Sequence, residues 1–138
     1  VIDIGNTRIK WGRLDGEAQL VESQAAAIED QHAWSEMLGR FVLDHEGGVS
    51  IASVNPPVAD RLGGLLESLG IGPIRWFRSA GEVPVLHELA APERTGADRA
   101  LAVLAAVGTA NRPGPGIVIQ CGTAITLERI SPEGIWQG

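Results

Sequence analysis

The sequence has a single cysteine, Cys121, so no disulfide can form within the chain. Its three histidines, His32, His45 and His87, show no metal-ligand spacing with that cysteine or with one another, which argues against a structural zinc site. This profile suits a reducing cytoplasm. Tyrosine is absent. Basic residues are few: 11 Lys and Arg stand against 17 Asp and Glu, giving a net charge of -6. They do not cluster, so a phosphate backbone would be repelled and nucleic acid is not an expected partner. No apolar run approaches the roughly 20 residues needed to span a bilayer, and no basic segment leads into an apolar one at the start. A soluble, cytoplasmic protein with no membrane partner is the expectation.

What is present is ordinary globular material. With 44% hydrophobic and 20% charged residues over 138 positions, the chain can bury a real core. It opens at Val1 inside an apolar strand pattern, without methionine, and ends at Gly138 just after another such run. A piece of a longer protein is expected.

Short apolar runs at residues 1–4, 8–14 and 17–23, separated by turn residues, predict three antiparallel strands. Between 32 and 45, Trp34, Met37, Leu38, Phe41 and Val42 recur at helical spacing, and Gly47-Gly48 stops the pattern. A buried strand is predicted at 49–54. A second helix at 57–70 follows the Asn55-Pro56-Pro57 stop, with Val58, Leu62, Leu65, Leu66 and Leu69 as its apolar stripe. Residues 73–77 read as a strand, 81–92 as a proline-bounded loop, and 96–110 as an alanine- and leucine-rich helix. Residues 111–116, Asn-Arg-Pro-Gly-Pro-Gly, are the strongest linker signal. Strands at 117–121, 124–130 and 135–136 follow. The order predicts an α/β fold with a mixed sheet flanked by helices.

A weak internal repeat adds to this. The run Val-Ile-Asp-Ile-Gly-Asn-Thr at 1–7 superposes on Val-Ile-Gln-Cys-Gly-Thr-Ala at 118–124, each a strand running through a glycine turn into a second strand. The chain restarts after the linker, which divides it into a lobe at 1–112 and the start of a second at 113–138. Two halves facing each other across a cleft are the expectation.

Three segments could carry chemistry. In the first, Asp3 ends a strand and Gly5 follows where a backbone turns or approaches a ligand closely. The amides of that turn and the Thr7 hydroxyl could hold phosphate oxygens, Asp3 a metal-bound water, and Lys10 could neutralise charge. A plain hairpin turn explains the same residues, and the motif by itself favours it. Gly122, Thr123 and Thr126 repeat the arrangement, again with a hairpin as the bland alternative. In the third, Thr95 and Asp98 form a capping-box pattern at a helix start. Alternatively Asp98 is a general base for a hydroxyl attacking a γ-phosphate, with Arg99 holding an anionic substrate. From these residues alone the cap is preferred. Trp11, Trp34 and Trp76 fall on core positions, Cys121 reads as a buried inert thiol, and the histidines read as surface or satisfied residues.

Taken together, Asp3-x-Gly5-Asn6-Thr7-x-x-Lys10, Gly96-x-Asp98-Arg99 and Gly122-Thr123-Ala124-x-Thr126 resemble the three motifs of type III pantothenate kinases, in the same order. The strand at 51–56, Ile-Ala-Ser-Val-Asn-Pro, resembles that family's strand before its second helix. The resemblance implies a ribonuclease H-like, actin-like ATPase fold whose second lobe is only begun here. It implies ATP-dependent phosphorylation of pantothenate to 4'-phosphopantothenate, the first step of coenzyme A biosynthesis. It further implies Mg2+ or another divalent cation, a monovalent cation (K+ or NH4+), and a homodimer.

By the same resemblance, Asp3, Gly5, Asn6, Thr7 and Lys10 handle phosphates, Asp98 is the base, and Gly96, Ala97 and Arg99 meet pantothenate. Gly122, Thr123 and Thr126 form the second phosphate loop, and Asp3 and Gln120 occupy the metal positions. The sequence departs from the family at Gln120, where an aspartate is usual, and near Leu89, where a tyrosine is usual. A nucleotide-binding accessory protein with weak catalysis is the alternative that Gln120 raises.

Overall fold

A computed structural model describes residues 1–43, 47–110 and 114–138, with side chains of 42 and 43 left aside. Its helices and strands divide between two units, Val1–Trp76 and Phe77–Gly138.

In the first unit, β1 (Ile2–Ile4), β2 (Arg8–Leu14), β3 (Leu20–Ala27), β4 (Val49–Ser53) and β5 (Ile74–Phe77) form one sheet in the order β3-β2-β1-β4-β5. The β1–β2 and β2–β3 pairings are antiparallel and β1–β4 is parallel, so the sheet is mixed. The apolar opening strand is thus interior, with neighbours on both sides. Ile2, Ile4, Ile9, Trp11 and Ile51 project into a core closed by Trp34, Met37, Phe41, Val58, Leu62 and Leu66. Trp76 packs against this core, so all three tryptophans assigned to the interior lie in it or against it.

Two helices cover the sheet. α1 (Gln31–Met37) starts at Asp30, whose Oδ1 accepts from the Ala33 amide at 3.0 Å, a side-chain N-cap. It continues as a π-helical segment, Leu38–Leu43. Of the helix expected at 32–45, residues 44 and 45 lie outside the described residues. α2 (Pro56–Ser68) is capped by Asn55 and has prolines in its first turn, where the missing N–H costs nothing. It ends at Gly70, φ +69°, where the Gly70 amide bonds to Glu67 and the Ile71 amide to Leu66. That pair of bonds needs the left-handed conformation that glycine takes without penalty. The apolar stripe is narrower than expected: Val58, Leu62 and Leu66 are buried, whereas Leu65 and Leu69 are exposed.

The third strand also differs, running over Leu20–Ala27 instead of 17–23. Asp15 is the reason. Its Oδ1 accepts from the amides of Glu17 and Gln19, both at 2.9 Å, and holds 15–19 as a turn.

In the second unit, two 3-10 turns (Ala80–Glu82 and Pro92–Arg94) precede α3 (Ala97–Thr109), and β6 (Gly116–Cys121) pairs antiparallel with β7 (Ile125–Ile130). Ala80, Val83, Ala97, Ala100, Val103, Ile130 and Trp136 form its core. The strand expected at 135–136 is instead a pair of single bridges from Trp136, to His87 and to Ile130. Ser131 tightens the chain there into a turn too short for a ladder, accepting from the amides of Glu133 and Ile135. Part of the predicted linker, residues 111–113, lies outside the described residues. Among the described residues no helix is long and apolar enough to cross a membrane.

Candidate functional site

The first glycine turn joins β1 to β2. Asp3 and Lys10 are register partners across these strands, and Lys10 Nζ donates to Asp3 Oδ2 at 2.9 Å. Both side chains are open to solvent, 44% for Asp3 and 63% for Lys10. An exposed pair of this kind contributes about 1 kcal/mol or less, so exchanging it for a phosphate or a hydrated cation costs the fold little. The Gly5 amide bonds to the Arg8 carbonyl at 3.0 Å, and a Cβ at Gly5 would lie 3.3 Å from that oxygen. Asn6 and Thr7 stand exposed at the tip.

The second unit gathers the other motifs. α3 begins after Gly96, the N-cap residue, which has no side chain to cap with. The expected capping box is absent: the Thr95 hydroxyl turns back to donate to the Ala91 carbonyl at 3.0 Å. The helix starts one residue later than the box requires. Asp98 is therefore an exposed acid in the first turn, its Oδ1 accepting from the Arg99 amide at 2.9 Å. Ala97 is buried beneath it.

Gln120 ties the helix start to the ribbon. Its Nε2 donates to the Asp98 carbonyl at 3.4 Å, and its Oε1 accepts from the Thr126 hydroxyl at 3.3 Å. The second glycine turn lies next along the chain, with the Gly122 amide bonded to the Ala124 carbonyl at 3.1 Å and Thr123 exposed. Asp98, Gln120 and Thr126 are thus linked by a chain of hydrogen bonds. Among the described residues no group of three His, Cys, Asp or Glu side chains could hold a metal ion. A cation held by these residues would draw further ligands from neutral oxygens, water or a ligand's phosphates.

Arg99 points to Glu128, which is fully buried. Arg99 Nε donates to Oε1 at 2.5 Å and Nη2 to Oε2 at 2.8 Å. Trp136 Nε1 adds a third bond, to Oε2 at 2.9 Å, and the guanidinium carbon lies 5.9 Å from the Trp136 ring centre. The hydrogen bond to Glu128 is the main cause holding the Arg99 pKa above its ordinary value. The charges of Glu128 and Asp98 act in the same direction, and burial opposes them. Removing Arg99 would leave the buried Glu128 charge without its ionic partner, which is destabilising.

Glu128 and Trp136 escaped the sequence reading. One signal was available for Glu128: it shares a strand face with Thr126 and Ile130, since alternate residues point the same way. The opposite face corrects another expectation. Cys121 is exposed, paired with Ile125 on the outward side of the ribbon, where Ile117, Ile119, Ile125 and Leu127 are exposed too. The other face of the ribbon carries Val118, Gln120, Thr126, Glu128 and Ile130.

Comparison with known proteins agrees with the motifs. The family model described as type III pantothenate kinase matches residues 1–138. The chain is 33% identical over 142 residues to a type III pantothenate kinase of Aromatoleum aromaticum, covering all of this chain and 55% of that protein. It is 31% identical over 152 residues to one from Janthinobacterium sp., covering all of this chain and 56% of that protein. It is 32% identical over 151 residues to one from Acidovorax ebreus, covering 99% of this chain and 55% of that protein. The chain thus spans about half the length of these curated relatives. With its three motifs carried on an α/β framework and matched along its whole length, this chain belongs to the type III pantothenate kinase family.

Proposed function

We propose that the full-length protein transfers the γ-phosphoryl group of ATP to pantothenate, forming 4'-phosphopantothenate and opening coenzyme A biosynthesis. One observation carries the reading beyond family membership: Asp98, exposed at the start of α3, is bonded through its carbonyl to Gln120 on the strand that enters the second glycine turn. The base and the strand leading to the second phosphate loop are then held side by side. Asp98 takes the proton of the pantothenate hydroxyl as that oxygen attacks the γ-phosphorus, and the bond to the ADP oxygen breaks. Gly96, Ala97 and Arg99 position pantothenate, Arg99 by pairing with its carboxylate.

Asp3, Gly5, Asn6, Thr7 and Lys10 serve one set of phosphate oxygens, and Gly122, Thr123 and Thr126 another. The exposed Asp3 carboxylate fits a magnesium ion, which keeps most of its waters and takes few protein ligands. When bound, the ion neutralises charge on the phosphates during transfer. Gln120 Oε1 is a neutral oxygen that suits K+ or NH4+ less well than a carboxylate would. In this reading the chain carries an actin-like, ribonuclease H-like lobe at 1–112 and opens a second at 113–138. The enzyme works in the cytoplasm as a homodimer, with no nucleic-acid or membrane partner.

Gln120 favours a second reading. Both ends of its amide are engaged within the protein, which suits a nucleotide-binding accessory protein with weak catalysis. ADP release by the full-length protein separates the two, measured with Mg2+ and K+ and with pantothenate, acetate or sugars as acceptor. Turnover dependent on pantothenate supports the kinase. ATP binding without turnover on any acceptor supports the accessory reading.

A further inference from the structure

We infer that Glu128 is a positioning residue: buried and anchored by Trp136, it fixes which edge of the Arg99 guanidinium is offered to an anionic substrate. The inference rests on the reading that Arg99 pairs with the pantothenate carboxylate.

The geometry is specific. Glu128 is 0% exposed, yet Arg99 keeps a third of its side chain open to solvent. The two carboxylate oxygens take the Nε–Nη2 edge of the guanidinium. Of its five N–H groups, three remain without a bond among the described residues: both on Nη1 and one on Nη2. Those three are the ones available to an incoming carboxylate, and the planar fork transmits the orientation set on one edge to the other. Trp136 Nε1 also donates to Oε2, so Glu128 cannot rotate without losing a buried bond. Trp136 is itself fixed through its backbone, its amide bonded to the Leu86 carbonyl at 2.9 Å and its carbonyl to the Glu88 amide at 2.8 Å. The segment at 86–88 thereby helps set the direction of Arg99.

A charge balance follows from the same contacts. Glu128 already compensates the Arg99 charge, so substrate recognition there relies on directed N–H groups more than on a free positive charge. Misalignment should therefore act on substrates that carry a carboxylate and spare those that do not.

The test uses the full-length enzyme, with pantothenate and its alcohol analogue, in which the carboxylate becomes a hydroxymethyl group, as alternative substrates. Glu128→Gln keeps the side chain's shape and removes its charge. The expected result is a rise of about tenfold or more in KM for pantothenate, the order of one lost charged hydrogen bond. KM for ATP should stay within about twofold, and the preference for pantothenate over the alcohol should shrink. Trp136→Phe keeps the ring and deletes one bond, and should shift the same preference less; it decides the matter if Glu128→Gln does not fold. A variant that loses thermal stability while keeping the preference unchanged overturns the inference. Arg99→Ala is the control. If it abolishes the preference while the Glu128 and Trp136 variants retain it, Arg99 binds substrate without needing Glu128 and the inference fails alone. If Arg99→Ala also leaves the preference intact, the assigned role of Arg99 fails and the inference with it.

Discussion

Gln120 and Thr126 face each other across the β6–β7 ribbon and share a side-chain hydrogen bond of 3.3 Å. Asp3 and Lys10 do the same across β1–β2, at 2.9 Å. In each hairpin the polar partner lies two residues before the glycine of the turn. The repeat read from sequence is thus also a repeat of cross-strand pairing, ionic in one copy and neutral in the other.

The neutral copy motivates the first prediction. Gln120→Asp adds a negative charge, shortens the side chain by one methylene and removes the Nε2 donor, so the 3.4 Å hydrogen bond to the Asp98 carbonyl is lost. In the full-length protein the K+ or NH4+ concentration for half-maximal activity should fall, because a carboxylate is the stronger ligand for a hard cation. Activity measured against cation concentration for both proteins checks this. Coincident curves would mean that the charge at this position does not matter.

Asp98→Asn should lower kcat by about a hundredfold or more, the usual size of a lost general base. The fold should survive, because the Asp98 carboxylate is exposed and, among the described residues, bonds to the neighbouring Arg99 amide alone. Steady-state kinetics and a melting curve on the same preparation decide it. Near-normal turnover with a lower Tm would assign Asp98 to the helix start instead.

On α2, burial separates two leucines three residues apart. Leu62 is 0% exposed and Leu65 39%. Leu62→Ala should cost about 2–5 kcal/mol through lost burial and the cavity left behind. Leu65→Ala should cost under about 1 kcal/mol. Denaturant unfolding of the two variants measures the difference, and equal losses would contradict the packing described.

Glu133 provides a pH prediction. The hydrogen bond from the Ser131 hydroxyl, 2.7 Å to Oε2, is the main cause that lowers its pKa, with its own backbone amide second. A lowered folded pKa stabilises above the ordinary glutamate value, and that contribution is lost as pH falls through the lowered one. Ser131→Ala should raise the Glu133 pKa toward the ordinary value and flatten this acid-side dependence. An NMR titration of the Glu133 carboxyl reports it, and an unmoved midpoint would refute the assignment.

The framework was legible where one physical preference dominated. Ile2, Ile4, Ile9 and Ile51 had no plausible place except a core, and the prolines at 56 and 57 could only open a helix. Legibility failed where a side chain served its own backbone or a distant partner. Asp15 moved the start of β3 by folding the chain onto its carboxylate, and Thr95 spent its hydroxyl on Ala91 instead of capping α3. Cys121 was misjudged because alternation tells which residues share a face but not which face is inside. Among the candidate site residues, Asp98, Arg99, Gln120 and Thr126 were visible as motif. Glu128 and Trp136 were not, because their role depends on an ion pair spanning from position 99 to 128.

The parallel pairing of β1 with β4 sets an order on folding. β1, β2 and β3 are joined by short turns and can find one another through local search. Ile2, by contrast, must meet Ile51, which requires closing the long intervening chain and paying its entropy before any contact repays it. During synthesis one edge of β1 therefore waits unpaired until β4 emerges, with its amides and carbonyls open to other strands. Substitutions that weaken β4 should slow this late docking step, while changes in the β2–β3 turn should act earlier. The strand that carries Asp3 precedes the other four strands of its sheet in the chain and is among the last of them to be fully enclosed.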